Sequence, residues 1–471
     1  MKTIIKHTIV QKTFAIVIMA VVLQSCFVAK NYERPEFEAL EALYRTDNLP
    51  TDSLSMADVS WKDMFTDTFL SQYIDEGLAN NLDIRVAMQQ MAAAEAYMKQ
   101  GKAGYFPTLS AEAGLTHQEL SKNSQFGSFF NGSLDQYQVT GNLSWEADIW
   151  GKIRSTKRAG DASFLQSVAA HQAVKTQLVS AIAATYYQLL SLDEQLKITN
   201  ATIENRAKSV ETITALKEAG EVNQVAVDQY IAQYNSAKAL KVDLKTAIFK
   251  TENAFNLLLG RTSVIVERGE LEQQQFNSDI KLGVPATLLS NRPDVVASEY
   301  GLINAFEMTN VARSNFYPSL TVTASGGFQS LELDQLFNAN SLFANIVGGL
   351  AQPIFNKRQI KTQHEVAKAQ QEQALLQFKK TLLTAGNEVS NALYDYRAET
   401  EKIEYRQNQV EALRKAESNS EELLNNGFAS YLDLLTARES ALNAELNIID
   451  NKLQQLLSVV NLYEALGGGW K

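Results

Sequence analysis

The chain has 471 residues, 45% of them hydrophobic and 20% charged, a balance that excludes an intrinsically disordered protein. Its formal net charge is −10; the first 25 residues hold Lys2, Lys6 and Lys12 and no acid, so the chain beyond them carries −13. That surplus of acid argues against nucleic acid as a partner, because phosphate binding needs basic patches, and a single cysteine excludes internal disulfides.

In chain order the first feature is a targeting segment. Three lysines precede an uninterrupted apolar run from Phe14 to Leu23, too short to span a bilayer but the right length for the core of a secretory signal. It ends at Leu23-Gln24-Ser25-Cys26. This stretch resembles the bacterial lipobox, in which the cysteine is acylated and becomes the mature N-terminus. Residues 1–25 are therefore read as a lipoprotein signal peptide and Cys26 as the lipidation site. The plainer alternative is an ordinary signal peptide with a cysteine nearby by chance.

Beyond the signal the chain repeats itself. YFPTLSAEAGLTHQ from Tyr105 is echoed by FYPSLTVTASGGFQ from Phe316, an offset of 211, and Asp83 matches Asp294 at the same offset. Further on, Gly220 matches Gly427 at an offset of 207, and each glycine leads into a segment without Gly or Pro that closes at Leu259-Gly260 or Leu466-Gly467. The boundaries drawn from this pattern are an N-terminal segment 26–60, repeat one at 61–260, a linker at 261–285, repeat two at 286–467 and a tail at 468–471. Each repeat reads as helix, two strands, a very long helix, a tight turn and a second helix.

The long helices are expected because Asp161 to Ala219 contains neither Gly nor Pro, and Lys357 to Asn426 only Gly386. At 1.5 Å per residue such helices run to about 100 Å, a length that suits crossing a compartment. After Gly427 the apolar positions fall at Leu432, Leu435, Leu442, Leu446, Ile449 and Leu453, a 3–4 spacing broken where Glu439 stands. That is coiled-coil packing. In repeat one the seam is displaced and less clean, through Tyr230, Tyr234, Ala237, Leu244, Ile248, Phe255 and Leu258.

The strands alternate with period two. Tyr137, Val139, Gly141, Leu143, Trp145 and Ala147 share one face, against Gln138, Thr140, Asn142, Ser144 and Glu146 on the other. Segments near Leu109–Leu115 and Leu320–Phe328 alternate likewise, and a Gly-rich fourth lies at Leu342–Leu350. Segments of about ten residues with one apolar and one polar face suit a transmembrane barrel with a wet interior. Aromatics near the strand ends, among them Tyr105, Trp145, Trp150, Tyr317 and Phe355, suit an interfacial girdle. Four strands cannot close such a barrel and lipid does not tolerate an open edge, so the barrel must be shared between chains. Two chains would give a filled lumen and three a channel; strand counting leaves both open.

The residues then resemble a known family along nearly the whole mature chain. Trp61, Phe65-Thr66-Asp67 and Asn81-Leu82-Asp83 are similar to the opening helix of the TolC-type outer membrane efflux factors. Trp145-Glu146-Ala147-Asp148-Ile149-Trp150-Gly151-Lys152 is similar to their strand-to-helix junction. Leu289-Ser290-Asn291-Arg292-Pro293-Asp294-Val295, Phe316-Tyr317-Pro318-Ser319-Leu320 and Gln352-Pro353-Ile354-Phe355-Asn356 resemble the matching parts of the second repeat. The resemblance is specifically to the NodT-like lipoprotein branch that serves resistance-nodulation-division (RND) pumps. The resemblance implies a homotrimer with a twelve-stranded antiparallel barrel, four strands per chain. A long periplasmic α-helical coiled-coil barrel would continue it, with an equatorial collar drawn from 26–60, 261–285 and the C-terminus. It also implies an outer-membrane location, a periplasmic adaptor (membrane fusion) protein and an inner-membrane RND pump as partners, and passage of drugs or other small toxic compounds. One departure is Lys357, where the family commonly has glycine; the second junction should have less backbone freedom.

No catalytic residue, metal site or cofactor is expected. His7, His117, His171 and His364 are scattered, and no nucleophile elbow or phosphate loop is present. Two rival functions stay open: a channel for type I protein secretion, and a long coiled-coil periplasmic adaptor, which would lack membrane strands. Gly220 and Gly427 are expected to turn the chain at the periplasmic tips, with Asn223 and Ser430 capping the helices that follow. The tips are the expected adaptor-docking surface; the alternative is a simple turn facing solvent. Asp433 stands where similar channels carry an aspartate ringing the periplasmic aperture, with Thr436 at the position of a second. Ser430-x-x-Asp433 is equally a capping box, so gate and cap are both open readings.

Overall fold

The structure is a computed structural model and describes residues 28–36, 58–125, 127–128, 133–274 and 291–470. The signal segment 1–25, Cys26 and residues 275–290 lie outside the described residues.

Repeat one runs α1 (Trp61–Met64), α2 (Thr68–Asn80), α3 (Leu82–Ala103), β1 (Thr108–Glu119), β2 (Ser133–Ala147), α4 (Lys152–Glu218) and α5 (Gln224–Leu258). Repeat two runs α6 (Pro293–Ser314), β3 (Ser319–Ser330), β4 (Leu342–Ala351), α7 (Gln359–Asn425) and α8 (Tyr431–Ala465). Both long helices, α4 and α7, have 67 residues, and both returning helices, α5 and α8, have 35. Gly386 does not interrupt α7. Local chemistry starts α2 and α3: Asp67 accepts from the N–H of Phe69 and Leu70, and Asn81 from those of Asp83 and Ile84. Among the described residues no helix is long and apolar enough to cross a membrane.

The chain divides into two compact units, and each long helix contributes to both. One unit holds the sheet, α6 and the strap of residues 28–36. The sheet is antiparallel throughout, in the order β1-β2-β3-β4. Its pairing aligns the apolar positions of all four strands: Ala113, Val139, Phe328 and Leu342 form one row, and Leu109, Leu143, Ala324 and Ile346 another. The opposite face carries rows such as Ser110, Asn142, Ser325 and Asn345. The strap is tied to α6. Asn310 pairs with both the N–H and the carbonyl of Lys30, Arg313 donates to the Val28 carbonyl, and Arg34 forms a bidentate pair with Glu299 at 2.6 and 2.7 Å. Residues 28–36 thus belong to the sheet unit and residues 58–60 to the other.

The second unit holds α1, α2, α5, α8 and the greater part of α4 and α7. Its core packs Leu70, Ile74, Tyr186, Leu190, Phe255 and Tyr463, all at most 1% exposed. The two repeats close in the same way. Gly260 (φ +70) and Gly467 (φ +92) end α5 and α8 against the carbonyls of Asn80 and Asn291, where an added β-carbon would stand 2.5 Å from the oxygen in both cases. Only glycine fits such an approach.

Candidate functional site

The two helical hairpins turn at matching tips. Gly220 (φ +81) and Gly427 (φ +76) take the left-handed conformation that ends a helix. The Gly220 N–H donates to Lys217 O and the Glu221 N–H to Leu216 O; Gly427 and Phe428 repeat this with Leu424 and Leu423. These are Schellman turns, in which otherwise orphan carbonyls find donors. Asn223 then caps α5 by accepting from the Ala226 N–H at 3.1 Å. Nothing lies within 4 Å of where a side chain would begin on either glycine, so both turns face open space. Around them Val225, Leu432 and Phe428 are 56%, 50% and 82% exposed. Val225 and Leu432 occupy the same place in the two repeats.

Ser430 and Asp433 form a complete capping box at the start of α8. The Ser430 N–H donates to Asp433 Oδ2 at 2.9 Å, and the Asp433 N–H to Ser430 Oγ at 3.3 Å. The hydroxyl and backbone of Ser430 hold the Asp433 carboxyl below the ordinary carboxylate range. Asp433 is nonetheless exposed, so the cap does not hide its charge.

Above the tips an ionic network ties the two hairpins together. Arg206 on α4, only 8% exposed, donates to the Gln233 carbonyl within its own hairpin and to Glu439 of α8 at 2.7 Å. Arg438 on α8 reaches the other way to Ser209 on α4 and also pairs with Glu421 at 2.9 Å. Arg414 joins Glu417 and Glu445. Glu439, which breaks the apolar spacing of α8, does so because it meets Arg206. Closer to the turn an apolar cluster of Ile213, Ala226, Val227 and Tyr230 packs against Tyr431 and Leu435 of the second hairpin. The sequence signalled only Glu439; its charged partner Arg206 lies 233 positions away and shares no local pattern with it.

The strand-to-helix junctions differ. At the first, Gly151 (φ +76) precedes α4, and the Asp148 carboxylate accepts from the N–H groups of Ile153 and Arg154, both at 2.9 Å. At the second, Lys357 (φ 53) and Arg358 (φ 66) both occupy the left-handed region, with Arg358 paired to Glu365 at 2.9 Å. The missing glycine at 357 therefore leaves the turn geometry in place and loads it onto residues with a β-carbon. Arg358 escaped the sequence reading.

The apolar face of the sheet is bare in a single chain: Leu109, Ile346 and Leu350 are 77%, 77% and 67% exposed. Among the described residues both edge strands, β1 and β4, lack a neighbour on one side. Among the described residues no group of three or more His, Cys, Asp or Glu is placed to hold a metal ion.

Residues 73–261 and 284–468 match the family model described as "Outer membrane efflux protein". Over 453 residues the chain is 27% identical to the probable outer membrane lipoprotein SilC of Salmonella typhimurium, covering 95% of this chain and 97% of that one. Over 463 residues it is 28% identical to the probable efflux pump outer membrane protein TtgC of Pseudomonas putida, covering 97% and 95%. A crystal structure of a membrane protein from Pseudomonas aeruginosa superposes with a TM-score of 0.86 at 25% identity, covering 94% of this chain and 100% of that chain.

Proposed function

The chain belongs to the outer membrane efflux protein family, and on that premise we propose that three copies form one exit duct, a passive conduit for drugs or other small toxic compounds. The observation that carries the reading is the open four-stranded sheet, apolar on one face and polar on the other, with two unsatisfied edges. Lipid forces those edges to close. Twelve strands from three copies leave an aqueous lumen lined by the polar rows, whereas eight from two would be filled by side chains. A coiled-coil adaptor would have no use for such a sheet.

In this reading the helical hairpins supply the periplasmic part of the duct. Their tips, with Val225, Leu432 and Phe428 exposed beside Gly220 and Gly427, dock a periplasmic adaptor that joins an inner-membrane RND pump. The pump supplies the energy, and no covalent chemistry falls to this chain. Cys26 carries the lipid, which aids delivery to the outer membrane while the barrel holds the protein there. Asp433 caps α8 and, by three-fold symmetry, also contributes a ring of three carboxylates that favours cations at the aperture.

Planar bilayers test the conduit directly: purified protein should open cation-preferring channels, and Asp433→Asn should weaken the preference. Unchanged selectivity would leave Asp433 as a cap alone. Protein that never conducts would remove the duct reading. In cells, Cys26→Ala should lower the amount delivered but leave assembled protein in the membrane, and wild type lacking palmitate label would overturn the lipidation claim. Bulky substitutions at both Gly220 and Gly427 should reduce adaptor cross-linking and drug efflux together.

A further inference from the structure

The two strand hairpins do not carry the apolar face of the sheet to the same height. From Leu320 to Phe328 on β3 is about 27 Å along the strand, and about 21 Å of height at a tilt of about 40°. The lipid-facing band of a transmembrane barrel is about 25 Å tall. On the first hairpin the next row of the apolar face, Leu115 opposite Tyr137, makes up the difference. On the second, the residue level with Tyr137 is Ser330, and β4 begins only at Leu342, opposite Phe328. The apolar face of β3 and β4 therefore stops one row short at the end remote from the helices.

The loop that follows β3 fills that gap. Residues 331–341 fold back on themselves through two single turns of 3-10 helix, Leu333–Gln335 and Ala339–Ser341. The Ser341 hydroxyl donates to the Gln335 carbonyl at 2.8 Å, the Asn338 amide to Gln335 Oε1 at 3.1 Å, and the Glu332 N–H to Ser330 Oγ at 3.1 Å. Phe337 packs edge-on against Phe328, with ring centroids 5.6 Å apart. Phe328 belongs to the apolar row of Val139 and Leu342, so Phe337 lies over that face and not over the polar one. Leu331, Leu333 and Phe337 are nonetheless 57%, 63% and 72% exposed. Between the two leucines Glu332 is extended (φ −121°, ψ 133°), which sets Leu331 and Leu333 on one side and the Glu332 carboxylate on the other.

We infer that the β3–β4 loop is an interfacial anchor seated in the outer leaflet of the membrane, with Leu331, Leu333 and Phe337 among acyl chains and Glu332 and Asp334 in the water of the headgroups. The inference rests on the barrel reading above and adds to it a part of the chain that is not strand. Three observations choose lipid as the occupant. The exposed side chains continue the apolar face of the sheet at the level where that face is short. β3 lies inside the sheet with a strand on either side, so Phe337 sits away from the edges where a second copy would pack. The loop holds two acids and no Lys or Arg, so it offers nothing to lipid phosphates, and its apolar side chains are what can enter the bilayer.

Nitroxide labels on introduced cysteines read the depth of the loop. The full-length protein, assembled and reconstituted in phosphatidylcholine–phosphatidylglycerol vesicles, would carry Phe337→Cys, Leu333→Cys or Glu332→Cys, with the unsubstituted protein as the background for Cys26. Oxygen concentrates among acyl chains, whereas a water-soluble nickel chelate stays outside them. Labels at 337 and 333 should be relaxed several-fold more by oxygen than by the chelate, and a label at 332 the reverse. Chelate access at 337 and 333 equal to that at 332 would place the loop in water and overturn the inference. Shielding from both agents would place those side chains against protein, a second copy included, and overturn it too. Ile346→Cys, at mid-height on the apolar face of β4, separates the anchor from the barrel. A label at 346 that oxygen does not reach would remove the barrel reading itself. Oxygen access at 346 with chelate access at 337 would remove the loop anchor alone. If Phe337→Cys fails to assemble, Leu333→Cys carries the same test.

Discussion

At residue 81 the first repeat sets an asparagine whose amide donates to the Leu258 carbonyl at 2.9 Å. At the matching residue 292 the second repeat sets an arginine whose guanidinium donates to the Ala465 carbonyl at 3.0 Å and also grips Asp294 and Glu388. The backbone task is the same, to tie a helix start to the end of the repeat's last helix, but the second copy performs it with charge. The pattern continues at the offset of 207. Asp433, Arg438, Glu439 and Glu464 stand where the first repeat has Ala226, Ile231, Ala232 and Leu257. The two repeats share their turns, and in the second Arg438 and Glu439 bind its hairpin to the first through Ser209 and Arg206.

The comparison breaks most visibly at its starting point. Arg292→Ala should cost about 2 kcal/mol, because it leaves the Ala465 carbonyl without its donor and removes a buried, well-packed side chain, while Asp294 and Glu388 are exposed enough for water to solvate them; Asn81→Ala should cost about 1 kcal/mol. Equal losses in denaturant titrations of the detergent-solubilised protein would mean that the charge adds nothing. The junctions sharpen the contrast. Gly151→Ala should destabilise by about 2 kcal/mol, since its backbone is left-handed and the new β-carbon would meet Ala29 Cβ at 2.9 Å. Lys357→Gly and Arg358→Gly should each stabilise by up to about 1 kcal/mol by relieving left-handed residues. A loss on Lys357→Gly would show that strain is not what distinguishes the second junction.

A smaller effect should appear at Glu464, whose carboxyl is raised above the ordinary range, chiefly by burial. Its favourable contribution is complete below the unfolded carboxylate value, about 4.3, and is lost as pH rises through the higher folded one. Glu464→Gln should therefore gain in melting temperature over wild type at pH 8 and match it near pH 4. The smallest change belongs to Asp433, whose folded value is lowered. Its cap is fully present above about 3.9 and lost as pH falls through the lower folded value. Asp433→Ala should melt slightly lower than wild type at pH 7 and equally at pH 2; a difference that persists at pH 2 would place the effect outside the cap.

Much of this architecture was legible because its signals are local. The alternation in Tyr137–Ala147 set the faces of β2, and Gly220 and Gly427 marked turns only a left-handed residue completes. Ser430-x-x-Asp433 announced a capping box that the structure forms. The cross-hairpin ties were not legible: Arg206 and Glu439 sit on helices whose adjacency comes from folding, and a charge on a long helix usually marks a solvated face. The strap was equally hidden, since Asn310 holds the backbone of Lys30 and the one charge pair, Arg34 with Glu299, joins residues 265 positions apart. At Lys357 the departure from glycine was visible, but its outcome depended on whether the turn or the side chain would yield.

The strand order has a consequence for how the chain acquires its structure. β1 and β2 are joined by a short loop, and so are β3 and β4, but β2 and β3 touch only after the chain has travelled out along α4 and back along α5. Closing that large a loop is entropically slow, so β2 and β3 should be brought together by helices that are already packed. Until a second copy arrives, β1 and β4 remain long unpaired edges of the kind that recruits any passing strand. The order of events is then a matter of safety for the cell. Helices that form from local contacts should come first and the sheet should follow within each chain, which would expose the edges that can aggregate only between folding and assembly.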